Sequence, residues 1–574
     1  MSSPAPEVHA GDKGRGDRRT TAQRGPWAIL GVLCLGLFMI LLDGTVVNIA
    51  IPKIMTAFST TLANVEWVMN IYVLAFAVTL VTLGRFGDLY GRRLLFAGGL
   101  VLFTASSLAC GLAPGIYWLI AFRAVQGLGG AAMMPSTLSI IAAVFPAEKR
   151  GAAMGLWGGV SGLATAIGPT LGGLIVDSAS WRWIFLVNLP IGLIALLLTV
   201  RIVPESKNPT AVESLDLPGV ALVSSSLFCL TFALVEGQKY GWASATIVGL
   251  FVAAAALFAL FYARERAERQ PLIDFSLFRS VNFFAGNVTG LLLSFGMMGV
   301  FFTVPIFLQT VLGHSAIRAG LTMSPMSLAV MVAAPLAGRY SDRIGSKWIV
   351  AAGMFLLAFG VAWMSGMLRL PPFAHGLQPT TSLLSLMPPF VLAGLGIGMA
   401  VAPVTAAVMA TAPRDRIGNA SGVLSTMRQI GSVMGIAVLG AVLQNRLSHN
   451  IRAGVEALPA MPPQVKQQIL GSLNGGGRMS MPETASGATD PQTQQMMAQL
   501  AHLFRTWFTD AINTTFVVGV VAALVGAAAA LVIRSHVRHR DGAPVVEGVS
   551  DATRPAHNAP DQESAARGGS TAVT

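Results

Sequence analysis

The chain has 574 residues, of which 53% are hydrophobic and only 11% charged, and its formal net charge is +12. Soluble domains carry about 25% charged residues, so this composition excludes an ordinary soluble protein and indicates an integral membrane protein. The positive charge is therefore better explained by the distribution of Lys and Arg among membrane loops than by binding to nucleic acid.

Apolar runs long enough to cross a bilayer recur along the chain and predict fourteen helices. The predicted spans are 27–50, 64–84, 94–113, 117–138, 152–176, 183–203, 217–236, 246–263, 283–310, 318–338, 348–368, 383–409, 418–445 and 512–534. Sixteen Lys and Arg residues fall in the predicted inner loops and five in the short outer loops. The positive-inside rule therefore predicts that both termini are cytoplasmic, as in a multi-pass protein of a bacterial inner membrane.

The predicted spans divide the chain into two six-helix bundles, residues 26–204 and 271–535, separated by two extra and peripheral helices in residues 205–270. The second bundle includes a polar outer loop, 447–510, in which Met496 to Phe508 fits an amphipathic helix at the membrane surface. Residues 1–25 lack the apolar core of a signal peptide and are predicted to be a basic cytoplasmic tail. Residues 536–574 are predicted to be a disordered cytoplasmic tail.

A short, charged, glycine-rich loop occurs twice, first from Gly84 to Arg93 and again from Gly338 to Lys347. The two copies share a glycine, an arginine, an aspartate and a second glycine at a constant offset of 254 residues. A duplication of this size in an apolar chain is typical of the repeated halves of a transporter. An offset of this length holds about eight spans, which is why two extra helices are predicted between the halves.

The aspartate of the first loop, Asp88, lies near the inner ends of the second and third helices, where it can meet Arg92 or a helix N-terminus of the other half. A bond that exists in only one orientation of the halves would act as a latch. The alternative is a solvated run of charges that simply ends two helices. It explains either copy of the loop alone, but it explains less well why both copies have the same residues at the same spacing. The predicted latch residues are Gly84, Asp88, Gly91, Arg92, Gly338, Asp342 and Gly345.

Among the 26 acidic residues, only Asp43 falls well inside a predicted span. A charge in hydrocarbon is costly, so an ionisable group there is a functional candidate. Arg123, on the fourth helix, lies at nearly the same predicted depth. Burial disfavours the charged carboxylate and a nearby guanidinium favours it, and such competition suits a group that binds and releases a proton. We therefore predict proton coupling by Asp43 and Arg123; a structural aspartate and a permanent salt bridge remain alternatives.

Further polar groups are predicted to line a substrate cavity, namely Asn48, Gln126, Arg428 and Gln429. Counting the deep charges gives two arginines and one aspartate, so the cavity is not obviously suited to cations. A packing role remains the alternative for Arg428.

The fifth predicted helix is rich in glycine and contains a proline, a pattern that lets helix backbones approach closely. Ordinary packing of small residues would account for two or three of these glycines but not for all of them. The residues predicted to pack against another helix include Gly158, Gly162, Gly168, Pro169, Gly172 and Gly173.

These motifs together resemble the major facilitator superfamily, and specifically its fourteen-helix drug:proton antiporters of the multidrug exporter type. The loop from Gly84 to Arg93 resembles the loop between helices 2 and 3 of that superfamily, and the glycines and proline of the fifth helix resemble its antiporter motif. The stretch from Asp43 to Pro52 is similar to a helix 1 signature of multidrug exporters, and Arg123 with Gln126 is similar to a helix 4 motif. The stretch from Trp181 to Gly192 is similar to another found in the fourteen-helix group.

The resemblance implies proton-driven export by alternating access, with Asp43 and Arg123 in coupling and Asp88 in the latch. The second loop departs from the first, because Ser346 stands where Arg92 stands in the first copy.

Other functional classes fit the sequence less well. No Gly-Lys pair is present for an ATP-binding P-loop, and no histidine cluster or nucleophile elbow indicates an enzyme. We therefore expect a transporter that is not an enzyme, has no cofactor or metal other than the proton gradient, and acts as a monomer on hydrophobic small molecules. Dedicated export of a lipid or of a self-made metabolite remains the second hypothesis.

Overall fold

The computed structural model describes residues 25–60, 62–206, 216–268, 271–413, 416–456, 466–467 and 491–534. Within these ranges the chain forms helices and connecting loops, with no β-strand. The helices are α1 Pro26–Ala57, α2 Leu62–Tyr90, α3 Arg92–Gly111, α4 Ile116–Val144, α5 Ala147–Ser178, α6 Trp183–Ile202, α7 Leu217–Tyr240, α8 Ala245–Ala267, α9 Val281–Val311, α10 Ala316–Ile344, α11 Ser346–Met364, α12 Met387–Thr411, α13 Ile417–Glu456 and α14 Pro491–Leu531. The predicted basic tail and the predicted disordered tail lie almost entirely outside the described residues.

Thirteen of the described helices are long and apolar enough to cross a membrane. The remaining long helix, α5, has 32 residues, more than the roughly 20 that a bilayer requires, and its many glycines lower its mean hydropathy. The architecture is therefore all-α and membrane-spanning, as predicted, and the structure is consistent with fourteen spans.

The duplicated loops have the same geometry. Gly91 connects α2 to α3 in a single residue and Gly345 connects α10 to α11 in the same way, with φ of 118° and 86°. Residues with a side chain rarely adopt this backbone conformation, which explains why glycine stands at both positions. Each loop is followed by a close helix pair, α3 with α4 and α11 with α12, in which Gly99 and Gly353 contact the backbone of the neighbouring helix.

Helices α1–α6 are called the first group here and helices α9–α14 the second. The two groups meet mainly along two seams, α5 against α10 and α2 against α13. One hydrophobic cluster, around Phe96 and Phe103, extends from the first group to residues of the second such as Leu424, whereas another, around Leu357 and Phe390, lies within the second group. This arrangement leaves the polar residues of α1, α4 and α13 on the inner faces of the groups, where the candidate site is found.

The extra helices α7 and α8 pack on each other as a hairpin beside α2 and α13. Glu236 of α7 accepts a hydrogen bond from Asn70 of α2 at 3.1 Å, and Arg264 of α8 binds Asp216 through both nitrogens Nε and Nη2. α8 is the least buried of the thirteen candidate spans, so the hairpin is peripheral.

The predicted outer loop 447–510 is helical at both ends. α13 continues to Glu456 and α14 begins at Pro491, and the added turns bury Ile451, Phe504 and Phe508 in a common hydrophobic cluster. The prediction of a loop was therefore wrong for these parts, and so was that of a separate surface helix at 496–508. The polar side chains here fall on the outer faces of two paired helices, a pattern that a window average of hydropathy does not separate from a loop.

Candidate functional site

A buried ion pair joins α1 and α4. Arg123 Nη1 donates to Asp43 Oδ2, and each of the two residues is only 1% exposed. The two residues are 80 positions apart in the chain, so only the packing of α1 against α4 and their common depth bring them together. A pair of opposite charges removed from water is stable only if hydrogen bonds satisfy the remaining groups around it.

Three neutral side chains complete the pair. The amides of Gln126 and Asn188 donate to Asp43 Oδ1 at 3.0 and 3.2 Å, and both also donate to the hydroxyl of Ser107. Gln126 in turn accepts from Arg123 at 2.8 Å. The carboxylate therefore accepts three hydrogen bonds from α4 and α6.

The guanidinium of Arg123 is held on its other sides as well. Its Nε donates to the carbonyl of Val68 at 3.1 Å, and its carbon lies 4.1 Å from the centre of the Tyr72 ring. The Tyr72 hydroxyl is buried and has no hydrogen-bond partner within the described part of the chain. Both contacts come from α2, so the ion pair connects α1, α2, α4 and α6 of the first group.

The structure thus brings together the two residues predicted to couple protons. Gln126, which is predicted to line a substrate cavity, is fully buried and bound to the ion pair. Its position one turn from Arg123 on the same helix turns its amide toward Asp43. The side chain of Asn48 lies outside the described residues.

The loop aspartate Asp88 crosses from one group to the other. Its two oxygens accept the backbone N–H groups of Gly418 and Asn419 at 3.1 and 3.0 Å, at the start of α13. Arg92 donates to the same carboxylate at 2.8 Å, and the whole contact is buried. A helix N-terminus carries unpaired N–H groups and a partial positive charge, so a carboxylate is a suitable partner for it.

The glycines around Asp88 allow this contact. A side-chain carbon added to Gly418 would overlap the Asp88 carboxylate, and one added to Gly84 would lie 3.1 Å from the Gly418 carbonyl. Gly91 contacts the carboxylate of Glu205, which accepts the N–H groups of Arg93 and Leu94 at the start of α3.

The second copy of the loop is only partly comparable. Gly338 packs against the carbonyl of Gly151 at the start of α5, so α10 approaches α5 as α2 approaches α13. Gly345 has the positive φ described above. The side chain of Asp342 lies outside the described residues.

A chain of contacts runs from the start of α13 to the extra hairpin. The Asn419 side chain donates to the carbonyl of Leu272, and Arg416 forms an ion pair with Asp274. The neighbouring N–H of Ile273 donates to Glu265, a buried residue at the end of α8. The segment between α8 and α9 thus lies between the hairpin and the helix end that Asp88 binds.

The glycines of α5 contact three other helices. In the first half of α5, a Cβ added to Gly158 would lie 3.0 Å from Val401 Cγ1 of α12. One added to Gly162 would lie 2.7 Å from Val330 Cγ1 of α10. Toward the other end, Gly168 contacts Thr45 and Gly172 contacts Val46, both on α1. Gly173 contacts Ile317 of α10 at 2.9 Å, and the side chain of Pro169 lies outside the described residues.

Arg428 of α13 lies in the other group and is only half-buried. Its Nη2 donates to the Val401 carbonyl at 3.0 Å and to the Thr405 hydroxyl at 2.9 Å, both on α12. Its guanidinium carbon lies 5.8 Å from the centre of the Trp157 ring of α5. Within the described residues it forms no ion pair, and its neighbour Gln429, also half-buried, forms no hydrogen bond.

Comparison with known proteins agrees with this architecture. The sequence model of the Major Facilitator Superfamily matches residues 33–436. The chain belongs to the major facilitator superfamily. The resemblance inferred from the sequence motifs is therefore confirmed at the level of the family.

Among the superfamily members most similar to this chain are three bacterial proteins. The tetracenomycin C resistance and export protein of Streptomyces glaucescens is 33% identical over 92% of this chain and 95% of its own length. The multidrug resistance protein Stp of Mycobacterium tuberculosis is 38% identical over 76% of this chain and 79% of its own. A probable actinorhodin transporter of Streptomyces coelicolor is 36% identical over 83% and 79%.

Solved structures of the superfamily share the fold. The human organic anion transporter MFSD10 matches with a TM-score of 0.52 and 15% identity, over 87% of this chain and all of its own. A bacterial homologue of the human lysosomal transporter Spinster, in an inward-facing state, matches with a TM-score of 0.51 and 17% identity, over 88% and 96%. At this identity the matches support the fold and nothing finer.

Sequence reasoning missed Asn188, Ser107 and Tyr72, which surround the ion pair of this superfamily member. Asn188 belongs to the Trp181–Gly192 stretch that carried part of the resemblance, and an amide at the start of a helix in that stretch was the available signal. Glu236 was also missed, because α7 continues to Tyr240 and so places it a turn inside the helix. No sequence signal marked Ser107 or Tyr72, which resemble any other polar residue of a span.

Proposed function

We propose that this protein is a proton-coupled antiporter that exports hydrophobic drugs or related small molecules across the cytoplasmic membrane by alternating access. Membership of the superfamily and the names of its relatives support export of small molecules. The observation that carries proton coupling is the buried carboxyl group of Asp43, which accepts hydrogen bonds from three side chains of the first group.

Asp43 would bind a proton in one state and release it in another. In the described state, Arg123, Gln126 and Asn188 all donate hydrogen bonds to its carboxylate. A movement of α1 relative to α4 that lengthens the bond to Arg123 would leave a buried, unpaired carboxylate, and a proton would then neutralise it. Proton uptake is thus linked to the separation of two helices, which is the property that coupling requires.

The contact between Asp88 and α13 would change in the same transition, at the end of the molecule where the duplicated loops lie. Asp88 binds the start of α13 only while the two groups touch there, and Ser139 of α4 contacts Ser421 of α13 beside it at 2.7 Å. We propose that these bonds break when this end opens, and that Gly84, Gly91, Arg92, Gly338, Asp342 and Gly345 shape the two loops for that movement. Both termini would lie on this cytoplasmic side.

The experiment is proton movement in sealed proteoliposomes that contain a pH-sensitive dye. Addition of a transported compound to the wild-type protein should move protons in the opposite direction, and collapse of the gradient should stop accumulation of the compound. Transport that continues unchanged without any gradient, with no proton movement, would sink the coupling proposal.

A second function is dedicated export of a self-made metabolite or a lipid. It is favoured by the names of two relatives, since one is a tetracenomycin C export protein and another a probable actinorhodin transporter. Transport of a panel of lipophilic cations, anions and neutral compounds distinguishes the two functions, because a multidrug exporter should move several classes and a dedicated one very few.

A further inference from the structure

We propose that Arg428 binds the anionic group of an aromatic substrate while Trp157 contacts the aromatic ring. The inference rests on the proposed export function and names the substrate class that this part of the interior would accept. It is drawn from the lack of a carboxylate beside Arg428 within the described residues.

Three other arginines of the helices each pair with a carboxylate. Arg123 pairs with Asp43, Arg92 with Asp88 and Arg264 with Asp216. Arg428 has no such partner among the described residues, although it stands well inside α13, which begins at Ile417. A cation at this depth is costly, so it is more stable with an anion beside it.

The guanidinium also retains hydrogen-bonding capacity. An arginine has five N–H donors in a planar fork, and here Nη2 alone is used, by the Val401 carbonyl and the Thr405 hydroxyl. Nε and Nη1 form no hydrogen bond within the described residues. A structural role on α12 would need only the bonds already made, whereas the free N–H groups match the two oxygens of a carboxylate or the oxygen of a phenolate.

Neighbouring groups extend this site. Trp157 is 2% exposed and its Nε1 has no partner in the described part of the chain. Ser425, three residues before Arg428 and therefore on the same side of α13, has a buried hydroxyl that also lacks one. Gly290 of α9 faces the Arg428 stem, and an added Cβ there would lie 3.8 Å from Arg428 Cγ. The surroundings thus combine a cation, an indole and unused polar atoms, which suits an aromatic anion.

The balanced charge of the Asp43–Arg123 ion pair favours the same class of anionic substrate. Asp43 is the buried acid that would attract a cation, but its charge is already balanced by Arg123. The net charge offered by the two central sites is therefore positive in the described state. A lipophilic cation would meet the Arg428 charge without a carboxylate to bind it.

The test compares three probes with one ring system, namely pyrene-1-carboxylate, pyrene-1-carboxamide and 1-pyrenylmethylammonium. Binding to the full-length protein in nanodiscs is measured by fluorescence anisotropy, with no proton gradient present. Charged hydrogen bonds contribute about 1.5 to 3 kcal/mol, so the wild type should bind the carboxylate about ten- to hundredfold more tightly than the carboxamide. The ammonium probe should bind most weakly.

Arg428→Gln should remove the preference for the carboxylate and leave the affinity for the carboxamide unchanged. Arg428→Lys should keep part of the preference, because the charge remains but the planar fork is lost. Arg446→Gln is the matched control, since Arg446 lies on the same helix and is exposed. If Arg428→Gln does not fold, Arg428→Lys carries the test, since it should reduce the preference for the carboxylate over the carboxamide.

Equal binding of the three probes by the wild type, or a carboxylate preference that survives in Arg428→Gln, would overturn the inference. Failure of the proposed function looks different. If the protein binds the carboxylate through Arg428 but moves no protons, the inference stands and the antiport proposal fails. If it moves protons but shows no preference for the carboxylate, the antiport proposal stands and the inference fails.

Discussion

At the scale of the residue, the ion pair between Asp43 and Arg123 is the most constrained feature of the molecule. Each charge is removed from water and each is satisfied by partners that the other does not share, Asn188 for the aspartate and Val68 for the arginine. Loss of either charge leaves the other buried without compensation, at a cost of about 3 to 5 kcal/mol. The free energy of interaction between the two charges can be measured.

We predict that Asp43→Asn and Arg123→Gln each lower the stability of the protein, and that the double variant is more stable than the sum of the two losses predicts. The physical reason is that the double variant contains no unpaired charge. Denaturant unfolding in detergent measures the three differences. If the losses simply add, the two residues do not interact in the folded protein.

The double variant also separates folding from coupling. It retains amides that fill the space of the two side chains, but it has no carboxylate at the site. We expect substrate binding without proton-driven transport. Proton movement at the wild-type rate in this variant would exclude Asp43 as the carrier.

At the scale of the element, the contact between Asp88 and the start of α13 joins the two groups. Gly418→Ala should break this contact, because the added methyl group overlaps the Asp88 carboxylate. A cysteine that replaces Ser139, which faces Ser421 across the same seam, should then react faster with a thiol reagent.

Gly98→Ala is the control for that experiment, because Gly98 lies on α3 with no neighbouring atom within 4 Å of an added Cβ. It should leave the reactivity of the cysteine unchanged. Equal reactivity in Gly418→Ala and Gly98→Ala would show that the contact does not hold the groups together.

The contact of α5 with α1 gives a second prediction at this scale. Gly168→Ala places a methyl group on the Thr45 hydroxyl, and Gly172→Leu inserts a bulky side chain against Val46, so both should reduce transport. Overpacking costs about 1 to 3 kcal/mol, which shifts a two-state equilibrium by one or two orders of magnitude.

Gly31→Ala is the control for this pair of variants, since Gly31 on α1 has open space around it. Transport assayed at equal protein amounts in membranes should fall for the α5 variants and not for the control. Wild-type transport by Gly168→Ala and Gly172→Leu would mean that α5 and α1 do not pack closely during the cycle.

At the scale of the whole molecule, the order of the helices predicts which loops share a side of the membrane. Ser276 lies between α8 and α9 and Thr380 between α11 and α12, and both side chains are exposed. With both termini in the cytoplasm, a cysteine at 380 should react with an impermeant reagent added outside intact cells, and one at 276 should not. The reverse pattern would invert the topology. Background labelling is expected to be low, because the native cysteines are buried or half-buried.

The sequence by itself determined the properties that depend on local composition. Long apolar runs require helices in a bilayer, since every backbone group must be satisfied within its own segment, and this gave the spans and the class of the protein. The duplicated loop identified two related halves, and the equal depth of Asp43 and Arg123 along their helices predicted their proximity. Each of these inferences needs only distances measured along the chain.

Only the tertiary structure decided which side chains meet. Asn188 reaches Asp43 from 145 residues away and Gly418 meets Asp88 across 330, and neither pairing has a trace in hydropathy or periodicity. The outer turns of α13 and α14 are helical because they bury Ile451 and Phe504 against each other, although their composition resembles a loop. Helix rotation and packing determine these contacts, and the sequence specifies both only through the sum of many weak interactions.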